Sequence, residues 1–558
     1  MRYTLLILLT ILPLLIFSQD LKDTVIVQVF TFDTPSPPKE KGNAYKNYEG
    51  MVQFPEDNSQ WGKVLMVMKL KCDSATARDE YPCGEWDALT PTSLYVPDID
   101  TVEKYQLISF VTPYGYQLEM GGDNGWTWIF DVTDYLPILK GEMKITAGNN
   151  QELLDLKFIF IKGVAPRTPL TVENLYPVGS YRYEYLATDS LLKARKISLN
   201  KEASSFMLRA RISGHGHKGP HNCCEWDNKL HTYNIGEWKQ FKWNVWKDCG
   251  FNPIYPQGGT WPFDRAGWCP GAAVDENDFE LGNYAFPGDT VSIDYSIEMY
   301  KNNGEKKGNF FMSHQLFSYG PPNFKNDAAI LDILAPSSAD EHSRINPICA
   351  YPRIIIQNTG EHVLKSLQIE YGLSNGKRST FTWRGHLEFL EKEELWLPIP
   401  GWKGLSKNQD FHVEILESNG IEDDYLKNNV ARSRVSLPVR FPSDFIVHIM
   451  TNNLDRAKEN SYTISKASGE LVYSKDNFMD STLYHDKIHL KDGCYELRFT
   501  DRNEDGMLKH WWERKAKPGQ VGINGDISIR SLDGKVLYPL PFDFGQEILL
   551  NFRVGTIE

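Results

Sequence analysis

The chain has 558 residues, with 73 Asp and Glu against 60 Lys and Arg and a formal net charge of −13. That balance, and the lack of any Lys/Arg-rich block, excludes a protein whose role is to neutralise nucleic-acid phosphates. The length is too great for one hydrophobic core and predicts three or four domains of about 100–200 residues each.

The chain opens MRYTLLILLTILPLLIFSQD, in which one Arg precedes an apolar run from Leu5 to Phe17 and a small residue, Ser18. The run is shorter than the ~20 residues needed to span a bilayer, so residues 1–18 are expected to be a secretory signal peptide. No Cys follows the run to carry a lipid, and no later stretch is apolar enough to cross a membrane. The mature protein is therefore expected outside the cytoplasm, whether periplasmic, cell-surface or secreted, and without a membrane span after cleavage. Eight cysteines in such a compartment favour disulfides over a zinc cluster.

Beyond the leader, helical periodicity is scarce. VIVQVFTF (25–32), KVLMVMKLKC (63–72), LKFIFIKG (156–163) and TVSIDYSIEMY (290–300) are short, β-branched or aromatic, and often alternating. Gly, Pro, Asn and Asp clusters punctuate them, which predicts an all-β protein built as sandwiches or barrels. Boundaries are expected at TPSPPKEKGN (34–43), APRTPLTVENLYP (165–177) and LAPSSADEHSRINP (334–347). The predicted units are 24–170, 178–335, an immunoglobulin-like module at 345–440 and a further β-rich module at 441–558. CGEWD (83–87) recurs as CCEWD (223–227) at comparable places in the first two, which suggests two related sandwiches packed together.

Several motifs carry chemistry. Cys72 and Cys83 flank a ten-residue polar loop, and Cys249 and Cys269 bracket a loop dense in Gly, Pro and aromatics; each loop would benefit from covalent closure. Cys223, Cys224, Cys349 and Cys494 have no assignable partners. His215 and His217 lie two apart, so a strand would present both to one ion, with His221, His231, or Met312 and His314, offering further ligands. Imidazole with thioether suits copper, so His215, His217 and Met312 form a candidate copper set. DRNEDG (501–506) fits the opening of a calcium loop, with Asp501, Asn503 and Asp505 supplying hard oxygens and Gly506 the sharp turn. Glu85 and Asp87 flank Trp86, and Glu225 and Asp227 flank Trp226; an acid held against an aromatic wall beside a disulfide is partly desolvated, which raises its pKa toward a useful range.

Residues 24–335 resemble the peptide-N-glycosidase F family through NAYKNYEGMVQFPED, C…CGEWD, FVTPYGYQ, IFDVTDYL–GEMKI, SGHGH…CCEWDNKLHTY and, most specifically, DRAGWCPGAAV (264–274). The resemblance implies two packed eight-stranded antiparallel jelly rolls, here followed by the two extra β-modules. It implies hydrolysis of the amide bond joining an N-linked glycan to asparagine, with no required cofactor and with N-glycosylated proteins or glycopeptides as partners. The enzyme is expected to act as a monomer. Asp87 falls on the family's primary catalytic acid and Glu225 on the Glu of the second roll's EW segment. Arg265 falls on the Arg of DRAGW, and Trp86, Trp226 and Trp268 on cleft tryptophans. There are departures: a further family acid falls on Gly148, a Trp two residues on is Asn150, the Arg after EWD is Ala88, a Trp is His215, and a Cys is Asp227. Two other readings follow from them. One is a copper-binding, monooxygenase-like protein of the same double architecture; the other is a glycan-binding protein that has lost turnover.

Overall fold

The computed structural model describes residues 23–38, 45–73, 83, 84, 86–98, 100–217, 223–237, 239–299, 308–402, 409–510, 512, 513, 517 and 519–555. The expected leader (1–18), Glu85, His221 and most of the loop between Cys72 and Cys83 lie outside the described residues, as does part of the expected boundary at 34–43. The described chain is almost entirely β, arranged in eight sheets. None of its helices is long and apolar enough to cross a membrane.

The first sandwich faces the strands Thr24–Phe30, Glu152–Lys162, Trp61–Cys72 and Trp126–Asp131 against Tyr48–Phe54, Gly141–Ala147, Leu89–Pro97 and Val102–Val111. Each of the apolar segments predicted as strands here pairs as one, because β-branched and aromatic side chains fit a pleated, half-buried surface. The second sandwich faces Arg167–Arg182, Asn309–Pro322, Ser205–His215 and Glu276–Glu280 against Arg195–Ser198, Thr290–Ile297, Lys229–Ile235 and Lys239–Val245.

Ser205–His215 determines how the two sandwiches meet. Its even-numbered residues Phe206, Leu208, Ala210 and Ile212 enter the second core, as period-2 geometry requires. Its odd-numbered face turns toward the first sandwich, where Met207, with Phe317 and Tyr319 of the next strand, joins the first core. On the same face Arg211 is held by Glu276 (2.8 Å) and the Tyr135 hydroxyl (2.7 Å), and Arg209 by Asp278 (2.7 Å) and Asp134 (3.0 Å). Buried guanidinium groups are tolerated only when paired in this way. A second stitch is the two-residue strand Ala272–Ala273, which pairs with Phe110 and Val111 and extends the first sandwich's sheet from the second.

Two expected boundaries differ. APRTPLTVENLYP is no linker: Arg167–Arg182 is one strand at the sheet edge, with register shifts beside Pro169 and around Pro177. A missing N–H is tolerated at an edge or a bulge, so these prolines do not end the strand. Ala328–Ala335, expected in the second jelly roll, instead pairs with Arg353–Asn358 and lies in a third core with Leu367, Trp383 and Val413. The fourth core lies between the sheets containing Gly493–Asp501 and Asp444–Met450. The disulfide Cys349–Cys494 joins the third and fourth units.

The fourth unit is pinned to the second sandwich. Buried Asp543 accepts the Trp261 indole N–H (2.6 Å), the Gly258 N–H (3.1 Å) and the Gln117 amide of the first sandwich (3.2 Å). Arg344 donates to the carbonyls of Asn252 (2.6 Å), Phe544 (3.0 Å) and Glu547 (2.7 Å) while lying 3.9 Å over the Tyr255 ring.

Candidate active site

Where the two sandwiches and the fourth unit converge there is a cleft of about 1350 Å³. That exceeds the roughly 300–1,000 Å³ of sites built for small ligands. The first sandwich contributes Trp86, Asp87 and Tyr114, and the second His215, His217, Glu225, Trp226 and Trp268.

Asp87 sits in a loop fixed on both sides. The Trp86 N–H donates to Gln151 Oε1 (2.9 Å), and the Trp86 carbonyl accepts from Gln151 Nε2 (2.8 Å) and the Thr112 hydroxyl (3.0 Å). The Ala88 N–H donates to Thr112 Oγ1 (2.9 Å). The disulfide Cys72–Cys83 closes the loop behind them.

Glu225 is placed by a close backbone approach. A Cβ on Gly214 would sit 1.8 Å from the Cys224 carbonyl oxygen, so only glycine lets the Cys223–Cys224 segment lie against this strand. The two adjacent cysteines are bonded to each other and fully buried. The Glu225 N–H then donates to the Gly216 carbonyl (3.0 Å), and its carbonyl accepts the Ala266 N–H (2.9 Å).

Arg265 lies beneath the cleft, fully buried, its guanidinium 4.3 Å from the Trp226 ring and 4.8 Å from that of Trp268. It donates to Glu225 Oε1 (3.4 Å), the Phe263 carbonyl (2.7 Å), and both the carbonyl and Oγ1 of Thr260 (2.7 Å each). Because Thr260 Oγ1 accepts from Arg265, its proton is available to the Tyr114 oxygen at 3.3 Å, and the Tyr114 hydroxyl in turn bonds Asp87. Burial holds the Tyr114 phenol far above its usual range, so it remains a donor.

The electrostatics follow from this packing. Burial pushes Asp87 up to about 7, with Glu225 adding to the rise and Arg265 and the Tyr114 hydrogen bond opposing it. Burial also raises Glu225, against the pull of Arg265 and then His217, whose Nδ1 stands 4.0 Å away. The pair flanking the guanidinium thus contains a carboxyl that changes charge near neutrality, which suits acid/base work.

The residues proposed for copper are not brought together. Met312 is fully buried in the second core and pairs with Ile212, so it faces the same way as even-numbered residues. His215, odd-numbered, points to the opposite face; there it stacks on Trp268 (5.3 Å) and shares a hydrogen bond with Ser213 (2.8 Å). Burial lowers its imidazole to about 4, so it stays neutral. His231 and His314 are buried too, bonded to Tyr295 (2.7 Å) and Tyr233 (2.5 Å).

The calcium trio is only partly assembled. Asp501 and Asp505 are buried on one turn, whereas Asn503 is exposed on its outside. Cys249 is bonded to Cys269 beside Arg265's loop.

The sequence reading did not single out Tyr114, Thr260 or Gln151, nor a third wall supplied by the fourth unit. That wall holds Lys509, His510, Trp512 and Asn524. The Trp512 ring lies 5.8 Å from Phe263 and 4.4 Å from His510. Phe263 packs edge-on against Trp226 at 6.5 Å, so an aromatic row runs from the second sandwich into the fourth unit. Within the sequence only the aromatic cluster KHWW near the DRNEDG turn signals it.

Residues 182–317 match the family model described as peptide-N-glycosidase F, C terminal. The chain is 30% identical over 283 residues to peptide-N(4)-(N-acetyl-β-D-glucosaminyl)asparagine amidase F of Elizabethkingia miricola, covering 47% of this chain and 75% of that protein. Among solved structures it resembles PNGase F, a glycosylasparaginase from Flavobacterium meningosepticum, at 28% identity and a TM-score of 0.44, over 53% of this chain and 96% of that one. A further peptide-N(4)-(N-acetyl-β-D-glucosaminyl)asparagine amidase structure matches at 27% identity and a TM-score of 0.44, over 54% of this chain and 98% of that one.

Proposed function

Because the chain belongs to the peptide-N-glycosidase F family, we propose that it is an exported amidase that hydrolyses the amide bond between an N-linked glycan and asparagine. The two sandwiches are read as paired jelly rolls and the third unit as an immunoglobulin-like module. The eight disulfide-bonded cysteines support an oxidising compartment.

The observation that carries the activity is the Asp87–Tyr114–Thr260–Arg265–Glu225 chain of contacts at the base of a cleft walled by tryptophans. In this reading Asp87 takes a proton from a water as that water adds to the asparagine side-chain carbonyl carbon. The C–N bond breaks, the nitrogen leaves on the sugar as a glycosylamine with a proton returned to it, and an aspartate remains on the peptide. Glu225 holds water and sugar hydroxyls, and Arg265, buried beneath with its donors given to Glu225, Phe263 and Thr260, orients that carboxylate from below. Trp86, Trp226 and Trp268 present ring faces or edges to the sugar.

None of residues 148–150 lines the cleft, and Gln151 behind them serves to fix Trp86. The test is digestion of a denatured N-glycoprotein in heavy-oxygen water, followed by mass spectrometry. Free glycan together with labelled aspartate at the former glycosylation site supports the reading; glycan bound but not released sinks it.

A further inference from the structure

The DRNEDG turn gathers oxygens that the protein does not itself satisfy. Asp501 ends the strand Gly493–Asp501 and is 3% exposed. Its Oδ1 accepts the backbone N–H groups of Asn503 (2.9 Å) and Asp505 (3.3 Å), while its Oδ2 is buried without a hydrogen-bond partner. Glu459 and Asp505 each bring a carboxylate oxygen to within 4.8 Å of one on Asp501 and of each other. Glu459 Oε2 is also buried and unpartnered.

A fourth oxygen stands nearby. Asn460 lies directly opposite Asp501 in the antiparallel register, so the two side chains share a face. It is 1% exposed, and its Oδ1 has no partner either. A cavity of about 330 Å³, lined in part by Glu459, Asn460 and Asp501, gives the cluster a path to solvent.

Two of the neighbouring cations have their hydrogen bonds elsewhere, while Arg502 lines the same cavity. Arg456 donates to the Leu508 carbonyl (3.4 Å) and to Glu513 (3.1 Å), and Lys458 pairs with Asp455. Three carboxylates brought together out of water repel one another unless a cation joins them. The donors are all hard oxygens, the set that suits calcium rather than a thiophilic or imidazole-seeking metal.

We propose that Glu459, Asp501 and Asp505 bind a calcium ion, with Glu459 in the place the sequence pattern gave to Asn503. The site acts at a distance of one side chain from the cleft. Asp505 Oδ2 is bonded to His510 Nε2 at 2.6 Å, and His510 packs on Trp512 in the third wall. The ion fixes the turn, and the turn fixes that wall.

The test uses the full-length protein stripped with a chelator and titrated calorimetrically with CaCl2 and, separately, MgCl2. One calcium site with a Kd at or below about 1 mM is expected, as is a rise in melting midpoint of about 5 °C at saturation. Asp501→Asn and Glu459→Gln should each abolish the heat or weaken binding at least about tenfold. Glu459 is less buried than Asp501 and carries the test if the Asp501 variant fails to fold. Asp248→Asn, in a separate acid group with Asp264 and Glu504, should leave binding intact. No heat and no melting shift at about 10 mM calcium overturns the proposal, as does heat that survives both cluster variants or magnesium binding equally well. Calorimetry needs no turnover, so its outcome is independent of the amidase reading. Only the last arm rests on that reading: chelation should raise KM for a glycopeptide several-fold, reversibly with CaCl2, without moving the pH profile.

Discussion

CGEWD and CCEWD are nearly the same five residues, yet among the described residues the two walls they build offer different carboxylates. In the first, Asp87 lines the cleft, C-terminal to Trp86. In the second it is Glu225, N-terminal to Trp226, while Asp227, the counterpart of Asp87, forms an ion pair with Lys229 at 2.5 Å. The backbone explains the switch. The first segment hangs from Gln151 and Thr112, which grip Trp86 and Ala88 and leave the residue between them facing the cleft. The second is drawn against Gly214 through its bonded cysteine pair, and Glu225 is the first residue free of that contact. A repeated motif therefore predicts a repeated position in the fold without predicting which side chain works there.

The largest expected effect divides the two aspartates. Asp87→Asn should lower kcat/KM by about 10²–10⁴-fold, the usual loss when a general base is removed. Asp227→Asn should change it no more than about threefold in the folded protein, because that carboxylate serves Lys229, and should show instead as a lower melting midpoint from breaking a largely buried pair. Equal losses in the two variants, measured by glycan release, would erase the distinction between the walls.

Asp543 supports both walls at once, through Gln117 of the first and Gly258 and Trp261 of the second. Asp543→Asn turns an acceptor toward three donors into a mixed group. It should cost roughly tenfold in kcat/KM, about the value of one lost buried hydrogen bond. Burial pushes Asp543 itself up to about 7, so the variant should lose whatever part of the pH profile this wall contributes and keep the limb that follows Asp87.

The first wall should set one limb of the pH profile. With Asp87 as the proposed base, its ionisation through about 7 should give kcat/KM an ascending limb there: low below, full above. Tyr114→Phe removes a hydrogen bond that favours the carboxylate, so the limb should move to higher pH by about half a unit. A shift to lower pH, or none, would take Tyr114 out of contact with the working acid.

The smallest effect probes the third wall. Trp512→Ala should raise KM for a glycopeptide by about two- to fivefold, in line with one aromatic stacking contact, and leave the pH limb in place. An unchanged KM with short and long glycans alike would mean that the aromatic row ends at Phe263.

Much of this site could be read before any coordinates, because its elements are short and local. The acids beside Trp86 and Trp226 announce themselves within five residues, and DRAGW sets Arg265 beside Trp268, one of the two rings its guanidinium lies against. Parity alone separates Met312 from His215, but only once their strands are known to be neighbours. Prolines misled the boundary at 165–177, since a composition typical of linkers also suits a bulged edge strand. The third wall was beyond reach for a different reason. His510 and Trp512 meet Phe263 across almost half the chain, and nothing local to either segment encodes that approach.

That separation has a consequence for synthesis. Asp543 lies 282 residues downstream of the Trp261 indole it anchors. A chain that has completed both sandwiches already carries Asp87, Glu225 and Arg265, and Thr260 of its Gly258–Trp261 loop already has Arg265 and Tyr114 as partners, but the Gly258 N–H and the Trp261 indole still lack Asp543. The fourth unit, translated after both sandwiches, is the one that finishes the cleft they begin.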